Sequence, residues 1–551
     1  MNMLRQIVLI VPVMLAALAL WNPPLSWLRE GVIYVSPQGS NWHSGRSPDS
    51  AVATIQRAAD MAAPGETVLI LPGVYREELR VRNGGAPGKP VTFRAVQPGG
   101  VTISGAAPDD VVEQLAWRHE GGKVWSAVTP WPVYHAIGNG ENLYHVRWAD
   151  GKGDNVYHWV GTSGRAARLR ELTDRPKAWG AFAWEQGRLY VAFADGRSPR
   201  QHALQINREI PRPYASWSIR AANVWVEANH VQFEGLRFEM GVGSGLLLWH
   251  AEDVVVRDAL FTGATSGVAS FPRISLPKRL VVEHSHYNNY PQYFWARDWL
   301  SGTEIYSYHS GSALVSIMGD GIVVRHNLVT HAGDGMQLST PATPVENGIE
   351  VYGNLLAHGT DDGFELDGHA QRIHVHDNLV YNFVVSVSLS PVLTGPVQVR
   401  NNLFLHPPDR PVGAHLKLMN PWQGRGNALA GPIRNVTVEH NVFSGKWLSW
   451  HNAPVENVRV MNNVFADIVS DARFELPAGV VNVGNVPVKS AQGLAGPEAA
   501  CSLLLAAGFS RAGTFTAERP GPAWFEYGKY PATRDIAGLA DQWMRVASQC
   551  G

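Results

Sequence analysis

The sequence predicts an all-β fold, a solenoid of stacked parallel β-coils, on two observations. The first is a phrase, apolar-x-apolar-x-x-Asn-x-apolar, that occurs six times. It reads Ile322/Val324/Asn327/Val329, Ile349/Val351/Asn354/Leu356, Ile373/Val375/Asn378/Val380, Val397/Val399/Asn402/Phe404, Val436/Val438/Asn441/Phe443 and Val458/Val460/Asn463/Phe465. Its apolar residues alternate and are mostly β-branched, as in a strand with one buried face. The second is the spacing: successive Asn residues lie 27, 24, 24, 39 and 22 apart. Recurrence in this range marks a stacked-repeat architecture. The unit is too short for a helical crossover between parallel strands, which takes about 30 residues, and fits three short strands and three turns. Each coil then buries its apolar face on the next, a parallel β-helix.

The repeated Asn sits where the strand turns a corner, a place where its side chain can bond nearby backbone. Stacked coil on coil, these amides form a ladder, so they are structural and take no catalytic role. Weaker copies at Val231/Phe233/Leu236/Phe238, Val254/Val256/Ala259/Phe261 and Leu280/Val282/Ser285/Tyr287 extend the solenoid toward the N-terminus. The gap of 42 residues between Leu280 and Ile322 is close to two coils, and that of 39 between Asn402 and Asn441 is one coil with a long loop.

At the start of the chain, Arg5 precedes an apolar run from Ile7 to Trp21, followed by Asn22-Pro23-Pro24. The run is shorter than the ~20 residues of a bilayer span. Its basic start and the small-residue triplet Ala17-Leu18-Ala19 suit a secretory signal. Residues 1–24 therefore read as a signal peptide, with an uncleaved membrane anchor as the alternative. Either implies export, to the periplasm or beyond. The only cysteines among 551 residues are Cys501 and Cys550, and in an exported chain a disulfide between them is expected to tie down the C-terminal tail. Charged residues are only 17%, with net charge −1 and no basic run, which argues against a nucleic-acid partner. The chain is expected to be a monomer.

Residues 32–106 form the expected N-terminal cap and first coils. Ile55, Ala58, Ala59 and Ala62 share one helical face, with Thr54 as N-cap, and a short amphipathic helix here would cover the open end of the first coil. Around it stand Ile33-Tyr34-Val35-Ser36-Pro37-Gln38-Gly39, Pro64-Gly65-Glu66-Thr67-Val68-Leu69-Ile70 and Pro87-Gly88-Lys89-Pro90-Val91. These phrases resemble the cap and first coils of secreted right-handed β-helix proteins of the pectate-lyase-like superfamily. The resemblance implies that fold, and a polysaccharide or oligosaccharide substrate for a lyase, glycoside hydrolase or epimerase. Fold alone does not decide among these reactions.

Between 107 and 215 the coil phrase disappears. Trp117, Trp125, Trp131, Trp148, Trp159, Trp179 and Trp184 crowd there, with a strand-like run at 188–193, so this stretch reads as a small inserted β-rich domain. The main β-helix follows over 216–490, then a C-terminal helical tail over 491–551, with helices expected near 497–507 and 533–548.

The candidate chemistry lies on two coils aligned by their glycines, His331-Ala-Gly-Asp334-Gly335-Met-Gln337 and His358-Gly-Thr-Asp361-Asp362-Gly363-Phe-Glu365. The alignment stacks Asp334 beside Asp362, Gln337 beside Glu365 and His331 beside His358. Neighbouring coils lie about 4.8 Å apart, so the carboxylates crowd, and like charges that close push one pKa upward. A protonated acid beside an ionised carboxylate is what glycoside hydrolysis needs, and this reading requires no cofactor. An Asp on one coil and an Asp-Asp pair on the next also resembles the polygalacturonase-type hydrolases, although the histidine and Arg-x-Lys of that family have no counterparts here. Against the functional reading stands an ordinary one. Asp-Gly is a common turn signal and occurs six times, at Asp150, Asp195, Asp320, Asp334, Asp362 and Asp367. His331 and His358 begin a corner and can be plain solvated residues or substrate contacts.

The rival enzyme reading is a lyase. Some β-helix lyases hold Ca²⁺ with strand carboxylates and remove the C5 proton of a uronate with Lys or Arg. Here Glu365 and Asp367 are the expected calcium ligands and Lys417 the expected base, against the ordinary reading of Lys417 as a solvated loop lysine. Arg372, Arg400 or Arg425 would bind substrate carboxylates, and Tyr306 and Trp422 would wall the groove. A third reading, a non-catalytic carbohydrate-binding β-helix, holds if the acids point away from any groove. Of the three, the sequence favours the hydrolase.

Overall fold

The computed structural model describes residues 31–145, 169, 180–209, 221–270, 276–288, 313–338, 348–359, 361–407, 414–420, 430–444, 447–450, 453–466, 476–488, 497–506, 518–525 and 534–549. The predicted signal segment 1–24 and Tyr306, Trp422, Arg425 and Cys550 lie outside them.

The repeat phrase becomes strand for the reason its periodicity implies. In Ile322–Arg325, Ile349–Tyr352, Ile373–His376 and Val397–Arg400 the burial alternates, apolar residues inward and polar residues outward. With these, thirteen strands from Val32–Val35 to Val481–Val483 form one sheet in which each described pair is parallel. The second and third strands of each coil build a second long sheet; in the coil that starts at Ile349 they are Leu355–Gly359 and Asp362–Glu365. Between the sheets runs one continuous apolar core, from Ile33 to Phe465, with Phe residues stacked coil on coil: Phe404 on Phe443, and Phe443 on Phe465, each at 5.0 Å between ring centroids.

Asn327, Asn354, Asn378, Asn402, Asn441 and Asn463 are fully buried in one line. Each Nδ2 donates to the Oδ1 of the next at 2.9–3.0 Å, and Asn485 closes the row. The same Oδ1 also accepts the backbone N–H of the residue before it in the ladder, for example Asn354 N to Asn378 Oδ1 at 3.0 Å. Each amide thus satisfies corner groups that no ladder of strands reaches. In the earlier coil Ser285 takes the Asn place and donates its N–H to Asn327 Oδ1.

One expectation is overturned. The 42 residues between Leu280 and Ile322 are not two coils, because Val281, Val282 and Glu283 pair directly with Val323, Val324 and Arg325. This is one coil with a long excursion, and periodic spacing alone cannot tell an extra coil from an insertion of coil length.

At the N-terminal end the helix Ile55–Met61 is capped by Thr54, whose Oγ1 accepts from Arg57 N at 3.1 Å, and buries Ile55, Ala58 and Ala59 on the first coils. In the Trp-rich stretch, Val124–Val128, Gly180–Glu185 and Arg188–Phe193 form an antiparallel sheet over a core of their own that includes Phe182, Leu189 and Phe193. At the C-terminal end, helices Pro497–Ala506 and Arg534–Gln549 pack with an outward-facing apolar stripe of the coils, Leu328, Leu355, Leu379, Leu403, Val442 and Val464, and Trp543 is fully buried among them. Cys501 on the first of these helices is in a disulfide. No helix among the described residues is long and apolar enough to cross a membrane.

Candidate active site

The glycine alignment of the two coils is also their register: Met336 pairs with Phe364 and Gln337 with Glu365. Asp334 and Asp362 meet across the coils, with Asp362 N donating to Asp334 Oδ1 at 3.2 Å. Neither Asp-Gly is a left-handed turn. Gly335 and Gly363 are needed because coils approach closely there: a Cβ on Gly335 would strike the Leu356 side chain and the Gly363 carbonyl, and one on Gly363 would strike Ser386 O and Val380. Asp362-Gly363 opens the strand Asp362–Glu365, whereas Asp334-Gly335 lies in the bend before Met336–Gln337, in keeping with the turn reading of that pair.

The result is a dense acid cluster on one face of the solenoid. Asp334 and Asp362 are only 2% and 3% exposed. One carboxylate oxygen from each of Asp334, Asp361 and Asp362 lies within 4.8 Å of the other two. Glu365 joins through Gln337, whose Nε2 donates to Asp334 Oδ2 at 2.8 Å and to Glu365 Oε2 at 3.1 Å. Asp367 is held further along the same coil, accepting from Ser388 Oγ at 3.0 Å and Ser390 N at 2.6 Å.

Lys417 is not a solvated loop lysine. It lies on the strand Ala414–Leu418, in register with Ser388, which is itself in register with Glu365 one coil earlier. Its Nζ is 3.0 Å from Asp362 Oδ2, and its side chain is 21% exposed. One row thus carries Ser316, Gln337, Glu365, Ser388 and Lys417 on successive coils. That row, with Asp334, Asp361 and Asp362 beside it, was only partly visible in the sequence. Nothing local in the chain marks Lys417 as a neighbour of residue 362.

The charges perturb one another. Burial pushes the Asp361 and Asp362 carboxyls up, with Lys417 pulling both back down. Burial and the neighbouring Asp367 and Asp362 push Glu365 up to about 8, and burial pushes Asp367 up to about 6. For Lys417, burial pulls the ammonium down, but Asp362, Asp367 and Asp361 outweigh it and hold it above the ordinary lysine range. Five acids crowd one described cation in a dry place, and burial holds four of them, Asp361, Asp362, Glu365 and Asp367, toward their protonated forms.

The donor set fits a hard divalent cation. Ca²⁺ takes six to eight oxygens, mostly carboxylate and carbonyl, and three carboxylate oxygens already converge here without any change of fold. The tight group is Asp334, Asp361 and Asp362; of the two ligands expected from the sequence, Glu365 accepts from Gln337 and Asp367 from Ser388 and Ser390.

His331 and His358 lie side by side, as the alignment implies, with ring centroids 5.4 Å apart and rings tilted by 32°, on corner backbone with φ of +53° and +64°. His358 Nδ1 contacts Asn382 Nδ2 at 2.9 Å, so the corner position is occupied. Arg372 is not brought to the acids: it starts a different corner and donates to Asp320 Oδ1 at 2.9 Å. Arg400 lies on the first strand of its coil, paired with His376 and Glu439.

No protein-family model matches the chain. A stretch of 73 residues is 42% identical to an uncharacterized protein, YwoF, of Bacillus subtilis (strain 168), covering 13% of this chain and 15% of that protein. Among solved structures, XylC in complex with xylose matches with a TM-score of 0.53 at 13% identity over 83% of each chain. The chain has a parallel β-helix fold. Pectate lyase Pel9A matches with a TM-score of 0.39 at 12% identity over 84% of this chain and 78% of Pel9A.

Proposed function

We propose that this β-helix is an exported polysaccharide lyase that uses calcium and acts on a uronate-containing chain. The observation that carries the reading is the contact of Lys417 Nζ with Asp362 Oδ2 at 3.0 Å, at the edge of three converging carboxylates. A saccharide substrate is further supported by the fold likeness to XylC, whose structure holds xylose.

Asp334, Asp361 and Asp362 would hold the cation, with Glu365 beside them. Bound there, Ca²⁺ would neutralise the substrate carboxylate and make the adjacent C5 proton more acidic. Lys417 is the base. Burial alone pulls its ammonium down, and the surrounding carboxylates hold it up. Neutralising those carboxylates leaves burial in control, so the amine can lose its proton and accept the one from C5. The electron pair of the C–H bond then forms the C4–C5 double bond as the C4–O glycosidic bond breaks, its electron pair going to the leaving oxygen, which takes a proton from solvent water.

One observation favours the hydrolase as a second reading. Glu365, pushed up to about 8, holds its proton at neutral pH, while burial raises Asp362 and Lys417 at 3.0 Å offsets part of that rise. An acid and a carboxylate on one face can hydrolyse a glycosidic bond. Incubation with a panel of polysaccharides separates the two. New reducing ends accompanied by the ultraviolet absorbance of an unsaturated uronate, and abolished by a chelator, are expected. New reducing ends without that absorbance, unaffected by the chelator, would remove the lyase and leave the hydrolase.

A further inference from the structure

Gln337 is the neutral residue in the row of acids. It pairs with Glu365 on the following coil and Ser316 on the preceding one. Its amide orientation is set from both sides. Oε1 accepts the Ser316 hydroxyl at 3.0 Å, which leaves Nε2 to donate to Asp334 Oδ2 at 2.8 Å and Glu365 Oε2 at 3.1 Å. Both amide protons are therefore used on carboxylates from different coils. The remaining oxygen of Asp334 accepts Asp362 N at 3.2 Å, so this carboxylate has no freedom to swing.

An amide that donates to both acids ties them together without adding a charge that would compete with a cation. We infer that Gln337 is a positioning residue for the cation: braced by Ser316, it holds Asp334 and Glu365 converged before the ion arrives. The inference rests on the calcium reading above. Groups that orient metal ligands typically govern about 10–100-fold in metal affinity.

The test is calcium titrated calorimetrically into the full-length protein, beside steady-state kinetics on a cleaved polysaccharide. Gln337→Ala is expected to bind calcium about 10–100-fold more weakly, with kcat restored at saturating calcium and KM for the polysaccharide unchanged. Ser316→Ala, which keeps both carboxylate bonds and loses only the brace, is expected to weaken binding in the same direction by less, and it carries the test if Gln337→Ala does not fold. Calcium binding by both variants as tight as in the unaltered protein would overturn the inference alone. A kcat that stays low at saturating calcium, or a raised KM, would make Gln337 a substrate contact and overturn its positioning role. An unaltered protein that binds no calcium would overturn the calcium reading and this inference together.

Discussion

Lys417 Nζ lies 3.0 Å from Asp362 Oδ2, although 55 residues separate the two in the chain. One coil of the solenoid intervenes, through the pairing of Asp362 with Val385 and of Val385 with Ala414. The long side chain of Lys417 reaches back over Ser388 to the carboxylate. The ion pair is nearly dry, so removing either partner strands the other, whereas exchanging a partner for one of like charge does not.

Lys417→Arg is therefore the informative change. The guanidinium keeps the positive charge beside Asp362 but does not release its proton. Turnover should fall at least about 100-fold, the lower end for one acid–base group, with thermal stability and calcium affinity little altered. A variant retaining most of its turnover would place the proton transfer on another group.

Asp362→Asn keeps the shape and removes a charge that both the cation and Lys417 face. Turnover should again drop at least about 100-fold, and calcium affinity should fall with it, read by calorimetry. Asp334→Asn should behave alike. Comparable activity in both variants would sink any carboxylate mechanism at this site.

The raised carboxyls make a pH prediction with a definite sign. Asp367 is pushed up to about 6 and Glu365 to about 8, so the folded protein keeps protons that the unfolded chain releases in the ordinary carboxylate range. Without calcium, their contribution to stability is present at acid pH and lost as pH rises through about 6 and then about 8. Calcium binds the deprotonated ligands, so the rise in Tm that it causes should be small near pH 5 and largest above about 8. Thermal unfolding with calcium or chelator across that range checks it. A calcium shift independent of pH would mean that these acids are not involved.

The ladder makes a prediction about stability alone. Asn378 Oδ1 accepts from Asn354 N and Nδ2, and its Nδ2 donates to Val351 O, His376 O and Asn402 Oδ1, all between 2.8 and 3.0 Å. Asn378→Ala removes the side-chain partner of Asn354 N and Val351 O on the preceding coil and of His376 O on its own, and should cost about 3 kcal/mol, measured from the shift of a denaturant midpoint. A loss under about 0.5 kcal/mol, the size of an ordinary surface change, would deny the ladder its structural role.

What the sequence determined by itself is whatever repeats along the chain. Six Asn phrases at near-constant spacing dictate strand, corner and stacking, because each coil can satisfy its backbone and bury its Val, Ile and Phe only on an identical neighbour. The alignment of Asp334-Gly335 with Asp362-Gly363 was legible for the same reason, since both glycines serve one close approach between coils. Lys417 was not legible as a partner. Loops of unequal length enter the later coils, so residue separation no longer reports height along the solenoid, and a lysine 55 residues away is two coils distant. The same effect made the stretch from Leu280 to Ile322 look like two coils when it is one. Whether five acids and a lysine share a dry face, and which of them converge tightly enough to hold a cation, depends on side-chain direction and burial. Those are properties of the stacked coils, and only the tertiary structure decides them.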